Sequence, residues 1–189
     1  MTVTENNSSA QLPKMFDKNP ELKKKLQDFL TNVTEEEKQR CIKTIDRFMR
    51  GEITWAEVKN VPQNLLKFLA TVAYQSFKSG DLKKAEILFK GLAIMDHKNW
   101  YYRAGLGAVY QKQGLYEEAA EEFGFALKIN PEEVTSLVNR GQCHLRLGDR
   151  EAALEDFERV KTLKIDRNNP WLKRAEMLIQ AVTKAGQEG

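Results

Sequence analysis

Cysteine and histidine are scarce in this 189-residue chain, two of each, and neither pair forms a cluster. Cys41 and Cys143 lie far apart with no Cys-x-x-Cys motif, and His97 and His144 stand alone. A zinc site needs four ligands, or three and a water, at close spacing, so no metal is expected, nor a disulfide scaffold. No apolar run is long enough for a membrane span, and the start MTVTENNSSAQLPK lacks the apolar stretch of a signal peptide. The expectation is a soluble protein of a reducing compartment, with no direct membrane insertion. Charge of one sign is missing too: 30 Lys+Arg face 27 Asp+Glu, for a net charge of +3. Without a basic block, a nucleic-acid partner is not expected. Alternating apolar runs and a Gly-rich phosphate loop are absent as well, which argues against strands and nucleotide chemistry.

What is there is a repeat. Ala85, Ala119 and Ala153 recur every 34 residues, as do Gly80, Gly114 and Gly148, and Phe89, Phe123 and Phe157. Ala73, Gly107 and Gly141 keep the same register, with Leu92, Ala126 and Val160, and Met95, Ile129 and Leu163. Six columns at one period indicate a tetratricopeptide-type array. Each unit is then two antiparallel helices, A and B, turning at a glycine that tolerates positive φ. The small residues of helix A and the alanines of helix B mark close approach, and the phenylalanines are expected to fill the space between units. Pro131 closes the second unit, whereas His97 and Ile165 depart from it at the equivalent positions.

The fold class is therefore all-α: a tetratricopeptide-repeat solenoid of three helix-turn-helix repeats with N-terminal helices and a C-terminal capping helix. Residues 1–18 read as a disordered tail, 19–65 as an N-terminal helical region, and 66–99, 100–133 and 134–167 as the repeats. Residues 168–189 form the capping helix and tail. Within the N-terminal region Leu22, Leu26, Phe29 and Leu30 share one helical face. Thr34 with Glu37 and Thr54 with Glu57 are capping boxes, the first opening a helix that stops at Gly51. Asn169 and Pro170 start the last helix.

Little here suggests catalysis. Cys143 and His144 are adjacent, but neighbours on a helix point roughly 100° apart, so both read as structural. Asp96-His97 fits a helix C-terminus. Glu117-Glu118, Glu121-Glu122 and Glu132-Glu133 read as solvated faces. No enzyme activity and no cofactor are expected.

In such arrays helix A lines a concave face through its second, fifth, ninth, twelfth and thirteenth positions. Counted from Leu66, Trp100 and Val134, the expected groove comprises Lys67, Ala70, Tyr74, Phe77, Tyr101, Ala104, Ala108, Gln111, Val138, Gln142 and Leu145, with Thr135 also inward. Lys78, Lys112 and Arg146 form a basic rim. The floor is small and apolar and the walls are aromatic, suited to apolar anchors of an extended peptide, each contributing about 1.5–3 kcal/mol on burial. The other reading of Phe77 and Leu145 is core, and of Tyr101 a packing contact. Tetratricopeptide domains that grip a C-terminal carboxylate resemble one another in a Lys/Asn clamp. Tyr74, Ala108 and Gln142 occupy the ninth positions here, so that clamp is broken.

Several stretches together resemble the class II chaperones of type III secretion systems. They are LATVAYQSFKSG from Leu69 to Gly80, Ile94-Met95-Asp96-His97, and Gly105-Leu106-Gly107-Ala108 followed by Gln111 and Gly114. Phe48-Met49-Arg50-Gly51 upstream, and the run from Gln142 to Asp149 downstream, are similar too. The resemblance implies a bacterial cytoplasmic chaperone that uses no ATP. Its partners would be hydrophobic translocator proteins, an extended segment of which lies in the groove. It also implies a homodimer formed through the N-terminal helices, hence through Leu22, Leu26, Phe29 and Leu30. The alternative from the repeat pattern alone is a general scaffold that joins folded proteins.

Overall fold

A computed structural model describes Pro20, Lys24 and residues 34–187. The tail 1–18 and the stripe Leu22, Leu26, Phe29 and Leu30 lie outside the described residues. Every regular element described is a helix. The chain divides into two compact units, one ending at Asn60 and the other beginning at Val61.

In the first unit, α1 (Glu35–Met49) starts at the expected capping box. Thr34 Oγ1 accepts from the Glu37 N–H at 3.3 Å, and Glu37 Oε2 accepts from the Thr34 N–H at 3.0 Å. The backbone N–H and the hydroxyl of Thr34, both donating to Glu37 Oε2, hold that carboxyl below its ordinary pKa. The same reciprocal pair joins Thr54 and Glu57 at α2 (Trp55–Val58). Gly51 turns the chain at φ 71°, and the Phe48 and Trp55 rings meet edge to face at 5.5 Å.

The second unit is the array. Helix A of each repeat is α3 (Gln63–Ser79), α5 (Trp100–Gln113) and α7 (Val134–Leu147). Helix B is α4 (Leu82–Met95), α6 (Tyr116–Ile129) and α8 (Arg150–Thr162), and α9 (Pro170–Gln187) follows. Consecutive helices pack on one another, and α3 also meets α5, and α5 meets α7. The A helices therefore adjoin along one face, as a stacked array requires.

Each A helix ends where the repeat pattern expects. Gly80, Gly114 and Gly148 have φ of 87°, 84° and 86°. A Cβ at these positions would meet nothing within 4 Å, so the backbone angle alone, not crowding, demands glycine. Asp81 and Asp149 then cap α4 and α8 through side-chain bonds to Lys84 N and Ala152 N. In the second repeat Leu115 holds the equivalent place and offers no such bond.

Phe89, Phe123 and Phe157 are at most 2% exposed. Their packing refines the expectation that they lie between units. A Cβ on Gly107 would come within 3.0 Å of Phe123, and one on Gly141 within 2.5 Å of Phe157. Those rings thus press on helix A of their own repeat. Phe89 does cross between units, since a Cβ on Gly105 of the next repeat would lie 2.4 Å from its ring. Behind the third repeat, Trp171, Leu172, Leu178 and Ile179 of α9 close over a core of Leu137, Val138, Phe157 and Val160. Asn169 accepts from the Trp171 N–H at 2.9 Å.

Two acidic pairs depart from the solvated-face reading. Glu122 receives two bonds from Arg103, at 3.0 and 3.1 Å. Glu133 accepts from the N–H groups of Thr135 and Ser136 and caps α7.

Candidate functional site

Two cavities lie side by side on the face made by the A helices. The first, about 220 Å³, is walled by Tyr74, Phe77, Trp100 and Tyr101 and floored by Ala104, Gly105 and Ala108. Phe89 and Phe123 close it from below, and Glu133, at the end of the second repeat, with Thr135 and Asn139 of the third form its far end. The second, about 360 Å³, is bordered by Lys67, Ala70, Thr71, Asn99 and Tyr102, and shares Tyr74 and Tyr101 with the first.

Local sequence explains this shape. Ala104, Gly105 and Ala108 carry almost no side chain, so the helix surface itself becomes the floor. Tyr101 stands among aromatic neighbours, with ring centroids 6.2 Å from Phe89, 6.1 Å from Trp100 and 6.2 Å from Tyr102. Edge-on contacts of this kind fix ring orientation. Tyr74 is 44% exposed and Tyr101 40%, so the wall is held in place while remaining open to a ligand. Burial pushes the Tyr101 phenol above its ordinary pKa, and Tyr74 adds to the shift. Tyr101 therefore presents a neutral hydroxyl.

Of the expected groove residues, Lys67, Ala70, Tyr74, Phe77, Tyr101, Ala104 and Ala108 are brought together here. Four are not. Val138 is fully buried among Leu127, Leu137 and Phe157, and Leu145 packs on that same core. Gln142 is half-buried and borders neither cavity, as is Gln111, whose Nε2 donates to Asn139 O at 3.5 Å. The inward register thus holds in the first repeat and as far as Ala108 in the second, while in the third Thr135 reaches the cavity and Val138 turns into the core that α9 closes. Trp100, Gly105, Asn139 and the two phenylalanines were not expected at the site. They belong to helix starts, to a column off the inward register, and to helix B. A register count along helix A does not reach them.

Of the other candidates for chemistry, Cys143, His144 and the Asp96-His97 pair line neither cavity. Cys143 is fully buried beside Ala119 and Phe123, and burial pushes its thiol up to about 11. His144 is half-buried on α7. Asp96 ends α4 and accepts from the Lys98 N–H at 3.3 Å. Among the described residues there is no group of three or more metal-ligating side chains, and no helix long and apolar enough to cross a membrane.

Helix pairs repeating every 34 residues, with an apolar cavity along the A helices, define a tetratricopeptide-repeat protein. Two tetratricopeptide-repeat family profiles match the chain, over residues 66–99 and 104–170. The chaperone protein SicA of Salmonella typhimurium is 30% identical over 133 residues, 70% of this chain and 79% of its own. A type III secretion complex from Aeromonas hydrophila shares the fold with a TM-score of 0.73 at 22% identity. It covers 77% of this chain and 99% of its own. PcrH, a Pseudomonas aeruginosa protein, bound to the chaperone-binding region of PopD, has a TM-score of 0.64 at 26% identity, covering 67% and 96%. The chain belongs to the SicA family, the tetratricopeptide-repeat translocator chaperones of type III secretion.

Proposed function

We propose that this protein is a bacterial cytoplasmic chaperone that keeps hydrophobic translocators of a type III secretion system soluble and secretion-competent. An extended apolar segment of the client lies along α3 and α5, its anchors seated beside Tyr74, Phe77, Tyr101, Ala104 and Ala108. The paired cavities sharing Tyr74 and Tyr101 carry this reading, because one extended strand can place successive anchors in both. The PcrH relative bound to a PopD segment supports it by family. Binding here requires no cofactor: burial of apolar side chains supplies the driving force.

Co-expression with a protein of long apolar stretches encoded beside this gene is expected to yield a soluble complex on gel filtration. Tyr74→Ala with Tyr101→Ala is expected to abolish it. A second reading, a scaffold docking a folded partner on the outer face, draws on Ile87 and Ile94, which are 71% and 69% exposed on α4. A complex that survives the tyrosine pair but is lost on Ile87→Asp with Ile94→Asp favours that reading instead.

A further inference from the structure

We propose that the segment taken by this groove carries acidic side chains beside its apolar anchors, and that Lys67, Lys78 and Lys112 select them. The inference rests on the groove reading above and specifies its ligand. The Lys78 ammonium lies over the Tyr74 ring at 5.9 Å, and that of Lys112 over the Phe77 ring at 4.9 Å. Lys112 also donates to Phe77 O at 3.3 Å. Both rings wall the first cavity, while Lys67 borders the second. A lysine stem laid on an aromatic face keeps its charged head at a defined place in water. Here the rings that hold Lys78 and Lys112 are the ones that wall the first cavity.

These cations lack carboxylate partners, unlike others in the array. Lys90, Arg103, Arg140 and Lys161 each have a carboxylate oxygen within 3.0 Å. Among the described residues Lys67, Lys78 and Lys112 have none within ion-pair distance. The acids nearby are committed elsewhere. Glu133, the acid lining the first cavity, caps α7, and Asp81, in the turn after Lys78, caps α4. A cation near a helix C-terminus is favoured by the dipole alone, which accounts for the charge on Lys78 and Lys112. It does not account for their contacts with the rings that wall the cavity, nor for Lys67 near the other end of α3. An apolar groove bordered by Lys67, with Lys78 and Lys112 laid on its wall rings, complements a peptide whose anchors alternate with Asp or Glu, and such complementarity chiefly sets specificity.

The test is selection of random twelve-residue peptides displayed against the full-length protein, with sequencing of the retained pools. Wild type is expected to enrich aliphatic and aromatic residues together with Asp and Glu. Lys67→Gln/Lys78→Gln/Lys112→Gln is expected to keep the apolar enrichment and lose the acidic one, and reversal to Glu to favour Lys and Arg. Each exposed pair is weak, so the neutral triple should weaken the best acidic peptide on the order of tenfold. Apolar enrichment without acidic preference in the wild-type pool, or an acidic preference unchanged in the neutral triple, overturns the inference and leaves the groove standing. A pool unaffected by Tyr74→Ala/Tyr101→Ala overturns the groove reading, and this inference with it.

Discussion

Gly91 and Gly105 both interrupt helices, at an intrinsic cost of about 1 kcal/mol each relative to alanine. Their surroundings set them apart. A Cβ on Gly91 would meet nothing within 4 Å, whereas one on Gly105 would lie 2.4 Å from the Phe89 ring. Gly91→Ala is therefore expected to stabilise by about 0.5–1 kcal/mol. Gly105→Ala must displace a buried ring that closes the first cavity, and a net loss of about 1–2 kcal/mol is expected. Urea titration of both variants decides. The same local logic covers Cys143. Its thiol is pushed up to about 11 from 9.0 by burial, so the folded chain holds that proton after the unfolded chain has released it. Any stability from this group is present below pH 9 and is lost as pH rises toward 11. In a Cys41→Ser background, alkylation of native protein at pH 7.5 is expected to be at least about a hundredfold slower than in urea, since the thiolate fraction falls by that factor before access is counted. Comparable native and unfolded rates would refute the buried placement. The sequence identified Gly105 as part of a motif, but its partner Phe89 lies in another repeat, and no spacing along one helix links them.

Element ends were the most legible features of the fold. The two Thr-x-x-Glu boxes, the three Gly turns and the Asn169-Pro170 start all act within four or five residues, where chain geometry alone brings donor to acceptor. Pairings between helices were harder to foresee. Arg140 on α7 grips Asp156 on α8 with bonds of 2.9 and 2.6 Å, the carboxylate side chain being 5% exposed. This bond holds the Arg140 guanidinium more firmly protonated than usual. Asp156→Ala leaves Arg140 half-buried without its counter-charge, and a loss of about 2–3 kcal/mol in thermal or urea unfolding is expected. Arg140→Met with Asp156→Leu should recover much of it, because an apolar pair leaves no unpaired charge. If the double variant were no more stable than Asp156→Ala, desolvation would not be the cause.

At the scale of the molecule, self-association is the remaining question, and its motive lies in the stripe Leu22, Leu26, Phe29 and Leu30 together with the family resemblance. Light scattering is expected to report a dimer for the full chain and a monomer for a chain beginning at Thr34; equal association states would remove the stripe from the interface. The repeat number, the A and B roles of the helices and their turns followed from the sequence alone, because a 34-residue period and a glycine φ are local constraints repeated three times. Where the groove ends did not follow. Val138 occupies the same register position as Ala104, yet it packs into the core that α9 closes, whereas Ala104 lines the first cavity. That choice depends on which helix covers which face, a long-range packing decision that no periodicity encodes.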